Sequence, residues 1–307
     1  MNALELQGVV KNYGKRKALD RLDLHVPTGS IFGLVGSNGA GKTTAMAVVV
    51  GLLRIEEGSV SLFGEGQFDP AIHCGRVTLL PQDSRLPLHS KVEDLLLYYG
   101  RLQRLAEPQL KESIDEVLEW VHLSDRRRSI VRTLSHGMMR RLTIAQAFLG
   151  KPELVLLDEP MSGLDPREAA RIKNILATKS GAQTVIISSH NLHELEALCD
   201  TAAFIEQGKR LRQDSMELLT NRSQRIIYHI RPADDFSVTM LDGLISGAQW
   251  EFSLGNTQLT LLYKGDGNIA EFNRKVITFL LERGNEIMEV RRGTNLESEY
   301  LMATAKI

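Results

Sequence analysis

One short stretch restricts this chain more than any other feature. Gly36 to Thr44 reads GSNGAGKTT and satisfies the pattern G-x-x-x-x-G-K-[ST] through Gly36, Gly41, Lys42 and Thr43. It lies between an apolar strand-like run, Ile31–Val35, and a helical pattern, Lys42–Val50, the context in which such a loop cradles phosphate. Its glycines permit a tight turn, so that backbone N–H groups across Gly36, Ser37, Asn38, Gly39, Ala40 and Gly41 converge on phosphate oxygens. The start of the helix, at Lys42, Thr43 and Thr44, adds the positive end of its dipole. Lys42 would reach the β- and γ-phosphates, and the Thr43 hydroxyl would ligate Mg²⁺.

The chain has 307 residues, enough for two domains or for one large domain with an appendage. Lys and Arg number 37 against 38 Asp and Glu, a formal net charge of -1, so composition does not point to nucleic acid as a partner. Two cysteines, Cys74 and Cys199, are too few for a disulfide framework or a zinc finger, which fits a reducing compartment. The opening residues MNALELQGVVKNYGKRK hold no apolar signal core. The longest apolar stretch, Ala45 to Leu53, is closed by Arg54 and is far shorter than the ~20 residues a spanning helix needs.

Residues 1 to about 220 alternate β-rich and helical runs, the pattern of an α/β layer structure. The expected strands are Ile31–Val35, Val77–Leu80, Leu154–Leu157, Val185–Ser188 and Ala203–Glu206. Several are apolar without alternation, as in a parallel sheet covered on both faces. Helices are expected over Lys42–Val50, Val92–Arg104, Gln109–Val121, Met138–Leu149, Pro166–Ala177 and Leu192–Leu198. Three of them form a helix-rich insertion at about 85–150. After a tight turn at Gln207–Gly208 a short helix runs to Thr220, and Asn221 to Gln224 reads as a linker. Residues 225–307 then predict a small α+β domain. Its elements are a strand Ile226–Ile230, a hairpin Gln249–Leu254/Thr257–Tyr263 turning at Gly255–Asn256, a helix Ile269–Arg283 capped by Gly284–Asn285, a strand Ile287–Val290 and a final helix Leu296–Ala303. Phe252, Leu254, Leu259, Leu261, Phe272, Val276 and Phe279 read as its core.

LVLLDEP, Leu154 to Pro160, is an apolar strand ending in two carboxylates. At the carboxyl end of a parallel strand they would line a ligand crevice. Asp158 would hold Mg²⁺. Glu159, expected to point elsewhere because side chains alternate along a strand, could serve as general base on water. A solvated strand end is the plain alternative for this segment. His190, in SSHNLHE, could contact a γ-phosphate or orient water, or be merely structural. Gln82, in LLPQD, could ligate Mg²⁺, position water or cap a turn. Tyr13 could stack on a base or be an ordinary surface tyrosine.

GSNGAGKTT, LLPQD, LSHGMMRR, LVLLDEPMSGLD and SSH occur in that order. Together they make residues 4 to about 220 resemble the nucleotide-binding subunit of ABC transporters, in the subfamily serving multidrug, antibiotic and sodium exporters. Met138 to Arg141 match that subfamily's signature, and NLESEYLMAT, residues 295 to 304, is similar to its C-terminal extension. The resemblance implies a P-loop NTPase (ABC ATPase) domain with an inserted helical subdomain, binding ATP and Mg²⁺. It implies that Tyr13 stacks on adenine, Gly36 to Thr44 holds the phosphates, and Gln82 links Mg²⁺ and water to the helical region. Asp158 organises Mg²⁺, Glu159 polarises water and His190 senses the γ-phosphate. Ser135 and Gly137, in the signature loop, contact the γ-phosphate bound by the opposite subunit, and Asp165 sits at the dimer interface. His136 departs from the family, which usually has glycine there.

With one phosphate loop and one signature loop per chain, the family geometry implies an ATP-dependent homodimer. It also implies separate integral membrane permease subunits, a peripheral place on the cytoplasmic face of the membrane, and no direct contact with the transported substrate. A soluble ABC ATPase acting on ribosomes or DNA is the competing reading. It lacks support from a second cassette, a coiled coil or a basic footprint. Arg126, Arg127, Arg128 and Arg132 form a basic run, either solvated or in contact with the permease or anionic lipid. The C-terminal domain reads as a dimerisation or regulatory module.

Overall fold

The computed structural model describes residues 1–220, 225–253, 257–263, 268–293 and 296–305. They form two compact units, Met1–Asp214 and Ser215–Ala305. The linker expected at 221–224, the turn at 255–256, Leu254 and Asn295 lie outside the described residues.

The first unit runs β1 (Asn2–Tyr13), β2 (Arg16–Pro27), β3 (Ile31–Val35), α1 (Lys42–Val49), β4 (Glu57–Leu62), α2 (Pro70–His73), β5 (Val77–Leu80), α3 (Val92–Leu102), α4 (Glu107–Trp120), α5 (His136–Ala147), β6 (Leu154–Asp158), α6 (Pro166–Ala177), β7 (Thr184–Ser189), α7 (Leu192–Glu196), β8 (Thr201–Glu206) and β9 (Lys209–Ser215). Six strands make one sheet in the order β5-β6-β7-β3-β8-β9. The pairs β5/β6, β6/β7, β7/β3 and β3/β8 are parallel. Every residue of β3, β6 and β7 is buried, as continuous apolar strands under layers on both faces must be.

Two features differ from the sequence expectation. A second, antiparallel sheet, β2-β1-β4, flanks the parallel one, with β3 of the parallel sheet falling between its strands β2 and β4 in the chain. Its alternation is broken by register shifts, one of them between Leu6 and Val9 around Gly8 (φ 57), which hides the strand period from the sequence. The expected turn at Gln207–Gly208 exists, with φ 49 and 77, but it returns the chain as strand β9 before any helix starts.

One core binds the two sheets. Leu4, Leu6, Leu22 and Leu24 of the antiparallel sheet pack with Phe32, Leu156 and Ile186 of the parallel sheet and with Ala45, Met46 and Val49 of α1. Truncating such a leucine to alanine costs about 2–5 kcal/mol. The helix that closes the phosphate loop is thereby clamped between layers. Helices α3, α4 and α5 pack on one another, and a bridge between Lys91 and Ile130 ties the loop before α3 to the segment before α5. Helix α5 begins at His136 because the Ser135 hydroxyl caps it, accepting from Met138 N at 3.2 Å.

The second unit contains α8 (Met216–Leu219), β10 (Arg225–Arg231), β11 (Gln249–Ser253), β12 (Gln258–Leu262), α9 (Ile269–Glu282), β13 (Glu286–Arg292) and α10 (Leu296–Thr304). Its sheet is antiparallel, in the order β11-β12-β10-β13. Tyr228, Leu259, Leu261, Val276 and Leu280 form its core, with Phe252, Phe272 and Phe279 packed against it. Gly284 (φ 74) ends α9, and Asn285 closes it by donating its amide to Leu280 O at 2.9 Å. Among the described residues no helix is long and apolar enough to cross a membrane.

Candidate functional site

In the sheet order, β7 separates β6 from β3. Three neighbouring strands therefore deliver the phosphate loop, the carboxylate pair and the Ser188–His190 segment to one edge, the carboxyl ends where open α/β sheets bind ligands. A cavity of about 430 Å³ opens there, lined by Asn38, Gly39 and Gly41 to Thr44 of the loop, by Tyr13, Arg16 and Gln82, and by both Asp158 and Glu159, while Gly36, Ser37 and Ala40 are not part of the lining. Its size suits a nucleotide.

The loop is built so that only glycine fits at two places. A Cβ on Gly36 would lie 2.4 Å from Ile205 O, and Gly41 has φ 110 with Ala18 O 2.6 Å from the same hypothetical atom. Lys42 is buried and donates to Gly36 O at 2.7 Å and Ser37 O at 3.1 Å. Burial lowers its pKa, and the charges of Glu159, Asp158 and Glu206 oppose that shift. Ser37 Oγ donates to Glu206 Oε1 at 2.9 Å, and Gly208 N donates to Ala40 O at 2.8 Å. Gly39 and Thr44 complete the cradle. Its donor set fits a phosphate chain.

The carboxylates sit differently from the strand-alternation expectation. Asp158 ends β6, but Glu159 leaves the strand with φ 49. Such left-handed backbone costs a non-glycine residue on the order of 1–3 kcal/mol and turns the Glu159 side chain into the same cavity as Asp158. Asp158 Oδ2 accepts from Thr43 Oγ1 at 2.7 Å, placing two hard oxygen donors together, as Mg²⁺ requires. Ser188 Oγ donates to the other Asp158 oxygen and accepts from Glu159 N at 2.9 Å. Glu159 faces Lys42 Nζ at 3.8 Å through Oε1 and His190 Nδ1 at 2.9 Å through Oε2.

Tyr13, 52% exposed, stands at the cavity rim on the β1–β2 hairpin. Gln82 is exposed on the loop after β5 and lines the cavity. Ser135, Gly137 and Asp165 do not line it. Ser135 and Asp165 cap α5 and α6, Asp165 accepting from the N–H groups of Arg167 and Glu168. Gly137 is buried against Glu168, and His136 is exposed at the first position of α5.

Three residues at the site were not visible in the sequence. Arg16 lines the cavity and donates to Gly39 O at 3.2 Å; the KRK run beside Tyr13 was the available signal. Ser188 joins both carboxylate residues, and Arg140 of α5 donates to the carbonyls of Glu159 and Pro160. Within the basic run, Arg127 is not a free surface cation. It pairs with Glu93 at 2.6 Å and with Asp115.

The model of the ABC transporter family matches residues 19–162. An uncharacterized ABC transporter ATP-binding protein, YhaQ of Bacillus subtilis (strain 168), is 35% identical over 217 residues, covering 70% of this chain and 72% of that protein. The Nod factor export ATP-binding protein I of Cupriavidus metallidurans is 37% identical over 216 residues, covering 68% and 70%. A solved nucleotide-free ATP-binding cassette from an ABC transporter superposes with a TM-score of 0.61 at 25% identity, covering 70% of this chain and 92% of that one.

Proposed function

Because this chain belongs to the ABC transporter ATP-binding proteins, a family of P-loop ATPases, we propose that it hydrolyses ATP as a homodimer and drives export through separate permease subunits. The observation that carries the reading is the convergence of Asn38, Gly39 and Gly41 to Thr44 of the phosphate loop, Asp158 and Glu159 on one cavity, with His190 against Glu159.

Adenine would stack on Tyr13 and the phosphates on the loop, with Lys42 exchanging its two carbonyl partners for phosphate oxygens. Thr43, Gln82 and Asp158 would hold Mg²⁺, which when bound neutralises phosphate charge. Glu159 orients the attacking water and accepts its proton as the γ-phosphorus–oxygen bond to ADP breaks. His190 fixes the Glu159 carboxylate and contacts the γ-phosphate.

Ser135, Gly137 and Asp165 stand apart from this cavity, which fits their service to the nucleotide of a second copy. Each sandwiched ATP then joins two chains, and its hydrolysis releases them. Export is the direction carried in the name of the Nod factor relative and in the signature residues Met138 to Arg141. With no spanning helix among the described residues, the chain would act peripherally, at the cytoplasmic face of the membrane.

The test is Glu159→Gln in the full chain. Hydrolysis should fall by roughly 10²- to 10⁴-fold, and light scattering should show an ATP-held dimer. Lys42→Ala should instead lose nucleotide affinity by roughly 10- to 100-fold. A Glu159→Gln chain that stays monomeric at saturating Mg-ATP, or that turns over normally, would refute the assignment.

A further inference from the structure

We propose that Arg140 is the positioning residue for the catalytic carboxylate, an inference that rests on reading Glu159 as the base. Arg140 lies on α5, one turn after the Ser135 cap. Its Nη2 donates to Glu159 O and its Nε to Pro160 O, both at 2.6 Å. The two bonds grip successive carbonyls on the far side of the Glu159 peptide, while Ser188 Oγ holds the N–H side at 2.9 Å. Glu159 is thus fixed from both faces of its backbone.

That grip matters because Glu159 holds a backbone conformation, φ 49, that an L-residue leaves readily. If the turn relaxed toward ordinary strand geometry, the carboxylate would swing out of the cavity that it shares with Asp158 and Lys42. A flat guanidinium suits the task, since its planar fork addresses two carbonyls at once and cannot lose its charge. Among the described residues Arg140 makes no ion pair. Its side-chain hydrogen bonds go to those two carbonyls, and the half-buried side chain lines a groove beside Gln82, His136 and Glu159, with its charge near the carboxylates of Asp158 and Glu159.

The geometry also accounts for the position of Arg140 in the chain. It is carried by the helix whose first turn holds Ser135 and Gly137, so a rigid helix links the loop offered to a second subunit with the base serving the chain's own nucleotide.

The experiment compares Arg140→Gln, Arg140→Lys and Glu159→Gln in the full chain. Arg140→Gln should lower kcat by roughly 10- to 100-fold, as misplacement of a reacting group does, with KM for ATP changed by less than about threefold. Arg140→Lys, able to reach one carbonyl, should fall between wild type and Arg140→Gln. In the Glu159→Gln background, Arg140→Gln should leave the ATP-held dimer intact, because its effect on turnover runs through the base. Unchanged kcat in Arg140→Gln overturns the proposal, as does loss of the dimer in the double variant, which would place Arg140 in the signature contact instead. If Arg140→Gln does not fold, the kcat and KM of Arg140→Lys decide by the same criteria. Full turnover by Glu159→Gln would sink the reading of the base itself, a separate result from a null effect at Arg140.

Discussion

The imidazole Nδ1 of His190 stands 2.9 Å from Oε2 of Glu159. The contact joins the residue that follows β7 to the residue that follows β6, and it leaves the second carboxylate oxygen toward Lys42. Since Glu159 is buried and the His190 side chain is 56% exposed, the imidazole closes the solvent side of that carboxylate.

His190→Ala should therefore free the carboxylate and lower kcat by about 10²-fold, while ATP affinity stays near wild type. Steady-state hydrolysis beside a nucleotide-binding titration separates the two. A raised KM with undiminished kcat would assign His190 to binding alone.

Ser188 bridges Asp158 and the Glu159 amide in a fully buried position. Ser188→Ala leaves that amide without a partner, which costs about 1–3 kcal/mol, visible as a lower Tm. It also frees an oxygen of Asp158, so the Mg²⁺ concentration for half-maximal hydrolysis should rise roughly 10-fold or more. A variant with wild-type Tm and wild-type Mg²⁺ dependence would argue against the bridge.

Arg127 holds the Glu93 carboxyl below the usual carboxylate range by its hydrogen bond at 2.6 Å. A lowered pKa means stability present above the unfolded value and lost as pH falls through the folded one. Arg127→Ser should thus cost about 0.5–1 kcal/mol at pH 7. The difference from wild type should shrink as pH drops below about 4, near the model-peptide Glu value. Thermal melts at pH 7, 5 and 3.5 measure it, and a gap that widens in acid would contradict the pairing.

Removing residues 222–307 should leave ATP affinity intact and weaken self-association, as expected of a second unit with a core of its own around Tyr228 and Leu261. Sedimentation of the truncated chain with Mg-ATP reads the outcome. Lost nucleotide binding would mean that the phosphate site depends on that unit.

Much of the parallel sheet was legible because its strands carry uninterrupted apolar residues and its loops carry motif chemistry. Ile31–Val35, Val77–Leu80 and Pro166–Ala177 lie where the sequence put them. The antiparallel sheet was not read, since shifts in register at Gly8 and beyond scramble the period of two that would have announced β1. At the site, Lys42, Thr43 and Asp158 were legible as types at fixed spacings. The conformation of Glu159 was not, because φ 49 belongs to no propensity of glutamate. Arg140 escaped for a related reason. Its partners are peptide carbonyls about twenty positions away, and a backbone acceptor leaves no mark in the residue code.

Lys42 donates to the carbonyls of Gly36 and Ser37, so the loop is braced by its own ammonium group. Nucleotide arrival then asks for an exchange of acceptors on one side chain, with no segment left to order. The entropic toll of folding a disordered cradle around an anion, on the order of 1–2 kcal/mol for each residue fixed, does not arise at this step. On the proposed dimer mechanism, capture of fuel would be the rigid part of the cycle, and rearrangement would be left to the meeting of two chains.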